Sequence, residues 1–230
     1  MTSLQENLHV VQQRIAKQCA ASGRDPQSVQ LLAVSKTFPL SAVLEAHQAG
    51  QNHFGENYIQ EGVEKISACR ARPDCGDLVW HCIGPIQSNK TRLVATHFDW
   101  VHTVDRLKIA QRLSEQRPPD MLPLQICIQV NIDGGVNKAG IAPAEALELG
   151  RQVAALPRLR LRGLMTIPEP SAEYADALAV HQCAKDLWDR LLAAGLEMDT
   201  LSMGMSADLE AALAAGSTMV RVGSALFGSR

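Results

Sequence analysis

Val29-Gln30-Leu31-Leu32-Ala33-Val34-Ser35-Lys36 is a short apolar run that ends on an amine, with Phe38-Pro39 breaking the chain just beyond it. A run of this length bounded by a breaker reads as a buried strand. The same unit recurs along the chain, a strand-like run followed by a helical pattern, which is the signature of parallel strands joined by crossover helices. Strands are expected near residues 29–35, 52–55, 78–83, 99–103, 124–132, 159–166, 199–203 and 218–222, with helical spacing at 40–49, 57–69, 88–96, 105–116, 143–155, 172–194 and 206–215. A further helix opens the chain, where Ser3 and Glu6 fit a capping box and Leu4, Leu8, Val11 and Ile15 make one apolar stripe. Gly50, Gly195 and Gly216 fall where helices end on glycine. Eight strands alternating with helices in 230 residues predict an α/β fold, a single (β/α)8 TIM barrel over residues 1–230 with an additional N-terminal helix.

The fifth strand tests that expectation. Leu124, Ile126, Ile128, Val130 and Ile132 alternate with Gln125, Cys127, Gln129 and Asn131. In a barrel the apolar set packs on the helices while Gln129 and Asn131 face inward near the C-terminal mouth. The competing reading is an edge strand with one wet face.

Composition narrows the function. Lys and Arg number 22 against 24 Asp and Glu, and aromatics are limited to three Trp, two Tyr and four Phe, so no basic, aromatic-interleaved surface for nucleic acid is visible. Cys19, Cys69, Cys75, Cys82, Cys127 and Cys183 form no CxxC pair and read as reduced thiols of a cytoplasmic protein. His47, His53, His81, His97 and His102 lack metal-ligand spacing and read as separate core or strand-end residues. No apolar run approaches the roughly 18 residues of a membrane helix.

Chemistry concentrates at strand ends. An amine at the rim of an apolar pocket loses hydration, which favours its neutral, nucleophilic form and suits Lys36 to a Schiff base. The last two strands end in Ser202-Met203-Gly204-Met205-Ser206 and Arg221-Val222-Gly223-Ser224-Ala225. Barrels of this kind bind phosphate with the loops after strands seven and eight. Gly223 permits close backbone approach, and Ser224 and Ser206 add hydroxyls. Taken alone, Ser206 reads as the N-cap of the helix that follows, and Gly223-Ser224 as a tight turn. An aldehyde-binding amine opposite a phosphate cup describes pyridoxal 5′-phosphate (PLP).

The stretches LLAVSKT (31–37), FGENYIQEG (54–62), WHCIGPIQSNK (80–90), LRLRGLMTIP (159–168) and LSMGMSADLEAALAAGSTMVRVGSALFG (201–228) closely resemble the YggS/PROSC family of PLP-binding proteins. The resemblance implies a barrel like the N-terminal domain of alanine racemase, with PLP on Lys36, phosphate held by Ser206, Gly223 and Ser224, and Arg221 approaching the pyridine nitrogen. Asn57 and Lys138 are further candidate contacts. An arginine there keeps that nitrogen unprotonated and weakens the cofactor as an electron sink.

Alanine racemase carries a second domain that delivers a tyrosine base, whereas this sequence stops at Arg230. Tyr58 is the nearest substitute, although packing on the next helix is the plainer role for it. Lys138, in the loop after strand five, is the other titratable candidate, and a solvated loop lysine is its plainer reading. Two functions follow: PLP homeostasis without established turnover, with PLP-requiring apo-enzymes as recipients and a monomer or weak dimer as the assembly, or a weak amino-acid racemase.

Overall fold

The computed structural model describes residues 3–136 and 138–228. Eight parallel strands close into a barrel in sequence order: β1 Gln30–Val34, β2 His53–Glu56, β3 Val79–Cys82, β4 Trp100–Val104, β5 Leu124–Val130, β6 Leu159–Thr166, β7 Thr200–Ser202 and β8 Met219–Val222. Closure is made by β1 against β8, with Leu32 opposite Arg221 and Ala33 opposite Val222. The expected strands are all present, so the barrel stands.

The helices are α1 Leu4–Ala21, α2 Leu40–Gln48, α3 Ile59–Arg70, α4 Thr91–His97, α5 Leu107–Gln116, α6 Ala146–Ala154, α7 Tyr174–Ala193, α8 Leu209–Ala214 and α9 Ser224–Phe227. At α1, Glu6 N donates to Ser3 Oγ and Ser3 N donates to Glu6, closing the capping box. Its stripe of Leu8, Val11 and Ile15 is buried, and Cys19 extends it. Gly50, Gly195 and Gly216 follow their helices at φ of 96°, 92° and 103°, in the left-handed region that terminates a helix cheaply only at glycine.

Two cores result from strand alternation. Leu124, Ile126, Ile128 and Val130 join the large core between barrel and helices. Cys127 belongs to the interior core with Leu32, Val34, Ile83, Trp100, Met165 and Met219. Strand β5 ends at Val130, two residues earlier than expected. Gln129 therefore lies inside, but Asn131 belongs to the following loop, where its Nδ2 donates to Gly135 O at 2.8 Å. Between β5 and β6 the register shifts, and a Cβ at Gly163 would lie 1.6 Å from Thr200 O, so β6 and β7 approach as only glycine allows.

Candidate functional site

The ends of β1, β2, β7 and β8 converge on a cavity of about 510 Å³ at the barrel mouth. Lys36, Asn57, Ser206, Arg221, Gly223 and Ser224 line it, with Val34, Ile83, Ile167 and Met205 as apolar walls.

Lys36 stands half-buried just past β1, and the residues on either side of it are clamped. Ser35 Oγ donates to Glu56 Oε1 at 2.6 Å. Lys65 Nζ, from α3, donates to Ser35 O at 2.8 Å and to Glu56 and Glu61 at 2.7 Å each. Thr37 N donates to Glu61 Oε1 at 2.6 Å, and this bond holds Thr37 at φ 65°, a conformation costly for a β-branched residue. The strand end carrying Lys36 is thus fixed by a buried ion cluster. Burial pushes the Glu56 carboxyl up, although Lys65 and Ser35 pull the other way.

The loop after β7 is pinned from two sides. Met205 N donates to Asp208 Oδ1 at 2.6 Å, and His181 Nε2 lies 2.8 Å from Asp208 Oδ2. Burial opposes ionisation of Asp208, yet His181 and the Met205 amide hold it below the usual carboxylate range. From α1, Arg14 Nη2 donates to Ser206 O at 3.1 Å while pairing with Glu210. The N-cap expected of Ser206 is not its role. Helix α8 starts at Leu209, because Asp208 ties the chain back to Met205 and keeps residues 206–208 in a turn. The Ser206 and Ser224 hydroxyl oxygens lie 3.5 Å apart. A Cβ on Gly223 would lie 3.3 Å from Val34 O, so this turn packs on the same strand end that carries Lys36.

Arg221 is 4% exposed. Its Nη1 donates to Ser202 O and Oγ, and its Nη2 to Thr166 O, all at 2.8 Å. Burial pushes its pKa down to about 10, which leaves it charged at neutral pH.

Two candidates lie elsewhere. Lys138 does not line the cavity and is no solvated loop lysine: its Nζ bonds Asp133 at 2.6 Å, Glu169 at 3.2 Å and Ile167 O at 3.2 Å. Tyr58 is 56% exposed rather than packed on α3. The turn from β2 to α3 is short, and strand alternation gives the inward place to Asn57 and the outward one to Tyr58.

Three of the five histidines read as separate residues also depart from expectation. His53 Nδ1 lies 3.0 Å from His81 Nε2, His81 Nδ1 lies 2.9 Å from His102 Nε2, and His102 Nδ1 lies 3.0 Å from Ser202 Oγ. Inward positions on neighbouring strands become adjacent when the barrel closes, which spacing along the chain does not reveal. Among the described residues no group of His, Cys, Asp and Glu is arranged to hold a metal ion, and no helix is long and apolar enough to cross a membrane. The six cysteines are free thiols, five of them buried.

Residues 2–230 match the model of the alanine racemase N-terminal domain. A pyridoxal phosphate homeostasis protein of Pseudomonas aeruginosa is 56% identical over 230 residues, covering 100% of this chain and 97% of the relative. This chain belongs to that family. Its fold matches PipY of Synechococcus elongatus, solved with PLP bound, at TM-score 0.80 and 39% identity over 93% of this chain and 100% of PipY. Alanine racemase of Clostridium difficile shares the fold at TM-score 0.78 and 16% identity, covering 99% of this chain and 56% of the racemase.

Against the family cofactor, the cavity's donor set can be tested directly. One primary amine, one guanidinium and two hydroxyls face a space with apolar walls, and the buried Asn57 Oδ1 on its rim has no partner. An aldehyde, a flat ring and a phosphate are the chemistry those groups complement, so the residues fit PLP.

Proposed function

We propose that this chain, as one domain over residues 1–230, binds PLP in the mouth cavity and acts in intracellular PLP homeostasis in the cytoplasm, affecting amino-acid and keto-acid pools indirectly. The observation that carries the reading is that six residues from four strand ends, Lys36 and Arg221 among them, line one cavity. The PLP-bound state of PipY and the name of the P. aeruginosa relative support it. When bound, PLP supplies an electrophilic aldehyde and an electron-accepting ring. In this assignment Lys36 Nζ is the covalent anchor, Ser206, Ser224 and the Gly223 turn take the phosphate, Asn57 offers its unpartnered amide oxygen, and Arg221 faces the ring nitrogen. Lys138 acts on the loop beside the site rather than on the ring. The recipients are PLP-requiring apo-enzymes, and the chain works as a monomer or weak dimer.

Holding PLP and turning over a substrate ask for different things. Racemisation needs proton transfer on both faces of the substrate carbon. Tyr58 and Lys138, the candidates for a second base, both stand away from the cavity wall. Arg221 keeps a permanent positive charge, which disfavours a protonated ring nitrogen. These features support a holding protein over an enzyme. The fold shared with alanine racemase favours weak racemisation as the second reading. Two measurements decide. Borohydride reduction of the PLP-loaded protein should trap one adduct on Lys36, absent from Lys36→Ala, and an undiminished adduct in that variant refutes the anchor. Alanine in deuterated buffer should keep its α-proton; exchange at about 1 s⁻¹ or faster, lost in Lys36→Ala, establishes the racemase instead.

A further inference from the structure

The histidine string runs from the base of the barrel to the wall of the mouth cavity. His53 lines a surface cleft near the start of β1 and is part-exposed, whereas His81, His102 and Ser202 are fully buried. Ser202 bonds Arg221, which lines the cavity. Among the described residues no carboxylate is hydrogen-bonded to any member of the string. His81 stacks on Trp100, with ring centroids 5.2 Å apart, and the Arg162 guanidinium covers the same indole at 4.6 Å. Burial pushes all three imidazoles down, His102 to about 3, so the string is neutral at physiological pH.

A neutral imidazole has one donor and one acceptor nitrogen, so the hydrogen bonds along the string must all run the same way. Arg221 has only protons to give, and its Nη1 makes Ser202 Oγ an acceptor. The serine's single proton is then available to His102 Nδ1. That bond requires Nε2–H on His102, which donates to His81 Nδ1. His81 in turn carries Nε2–H and donates to His53 Nδ1, which leaves His53 presenting Nε2–H at the base. The opposite order would place two donors on Ser202 Oγ and strand its own proton in a buried site, a costly arrangement.

We propose that His53, His81, His102 and Ser202 form a through-barrel relay of positioning residues whose single hydrogen-bond direction is set by Arg221 and in turn holds Arg221 at the cavity wall. The three histidines hold this arginine without touching the cavity, and changes at the base cleft reach the site through four bonds. The relay's bearing on PLP rests on the functional reading above; its existence does not.

Nitrogen-15 NMR of the histidine-labelled chain without added PLP reports which ring nitrogen carries the proton. The expected wild-type result is the Nε2–H form at His53, His81 and His102. Arg221→Met removes one donor from Ser202 Oγ and leaves the Ser202 and Thr166 carbonyls without theirs, so the serine proton gains an alternative acceptor and both directions become available. All three histidines, His53 included, should then change from one tautomer to a mixture. If Arg221→Met fails to fold by circular dichroism, His53→Phe at the part-exposed end is used. That variant orphans the His81 Nε2–H and should move the tautomers of His81 and His102. Tautomers at His81 and at the far end of the string that do not respond to the variant overturn the relay. A responding string in a chain that takes up no PLP leaves the relay standing and overturns the functional reading alone.

Discussion

Lys65→Met removes the cation from the cluster that fixes the Lys36 strand end. The Lys65 side chain is 7% exposed and the Glu56 side chain 0%, so water does not replace the lost charge. Removing one partner of a buried pair costs about 3–5 kcal/mol, most of it from the uncompensated charge left behind. Glu56 can escape that cost by taking a proton. Burial already raises its folded pKa, and loss of Lys65 raises it further. A raised folded pKa means that stability is fully present below the ordinary glutamate value of about 4.3 and declines as pH rises through the folded value. The Lys65→Met penalty should therefore be small near about pH 4.5 and approach the full amount near about pH 8. Urea unfolding followed by tryptophan fluorescence at both pH values measures it. Adding Glu56→Gln, which removes the charge and keeps an acceptor for Ser35, should recover most of the loss at the higher pH. A penalty equal at both pH values, or a double variant no more stable than the single one, refutes the buried-charge account.

Gly163→Ala places a methyl carbon 1.6 Å from Thr200 O, so β6 must part from β7; a loss of at least about 1–3 kcal/mol in urea unfolding is expected, and an unchanged midpoint contradicts the close approach. Asp208 has a depressed folded pKa, so its contribution to stability is present above the ordinary value of about 3.9 and lost as pH falls below it. Asp208→Asn should flatten the acid limb of the stability profile, and an unaltered limb rules the contribution out. Ser206→Ala should weaken PLP by about 1.5–3 kcal/mol while leaving pyridoxal unaffected, measured by titration; equal losses for both ligands remove Ser206 from the phosphate contact.

Much of the site was legible because a parallel barrel brings every strand's C-terminal end to one rim. Once the strands were recognised, Lys36, Asn57, Ser206, Arg221, Gly223 and Ser224 had to share a face, and the cavity they line follows from topology. The ion cluster behind Lys36 was less accessible. Glu61 and Lys65 are a readable i,i+4 pair on α3, but Glu56 and Ser35 reach Lys65 from the ends of two different strands.

Local order was decided by the sequence alone: apolar periodicity, a capping box at Ser3 and glycines at helix ends depend only on residues a few positions apart. Closure decided the rest. Which inward side chains meet depends on register between strands, and no local pattern encodes it, so His53, His81, His102 and Ser202, separated by as many as 100 residues between bonded partners, became one string only in the folded barrel. The same holds for Asn131, which alternation placed inside. Its strand stops at Val130, because the Asn131 and Ile141 amides bond across the loop instead of extending the β5 ladder.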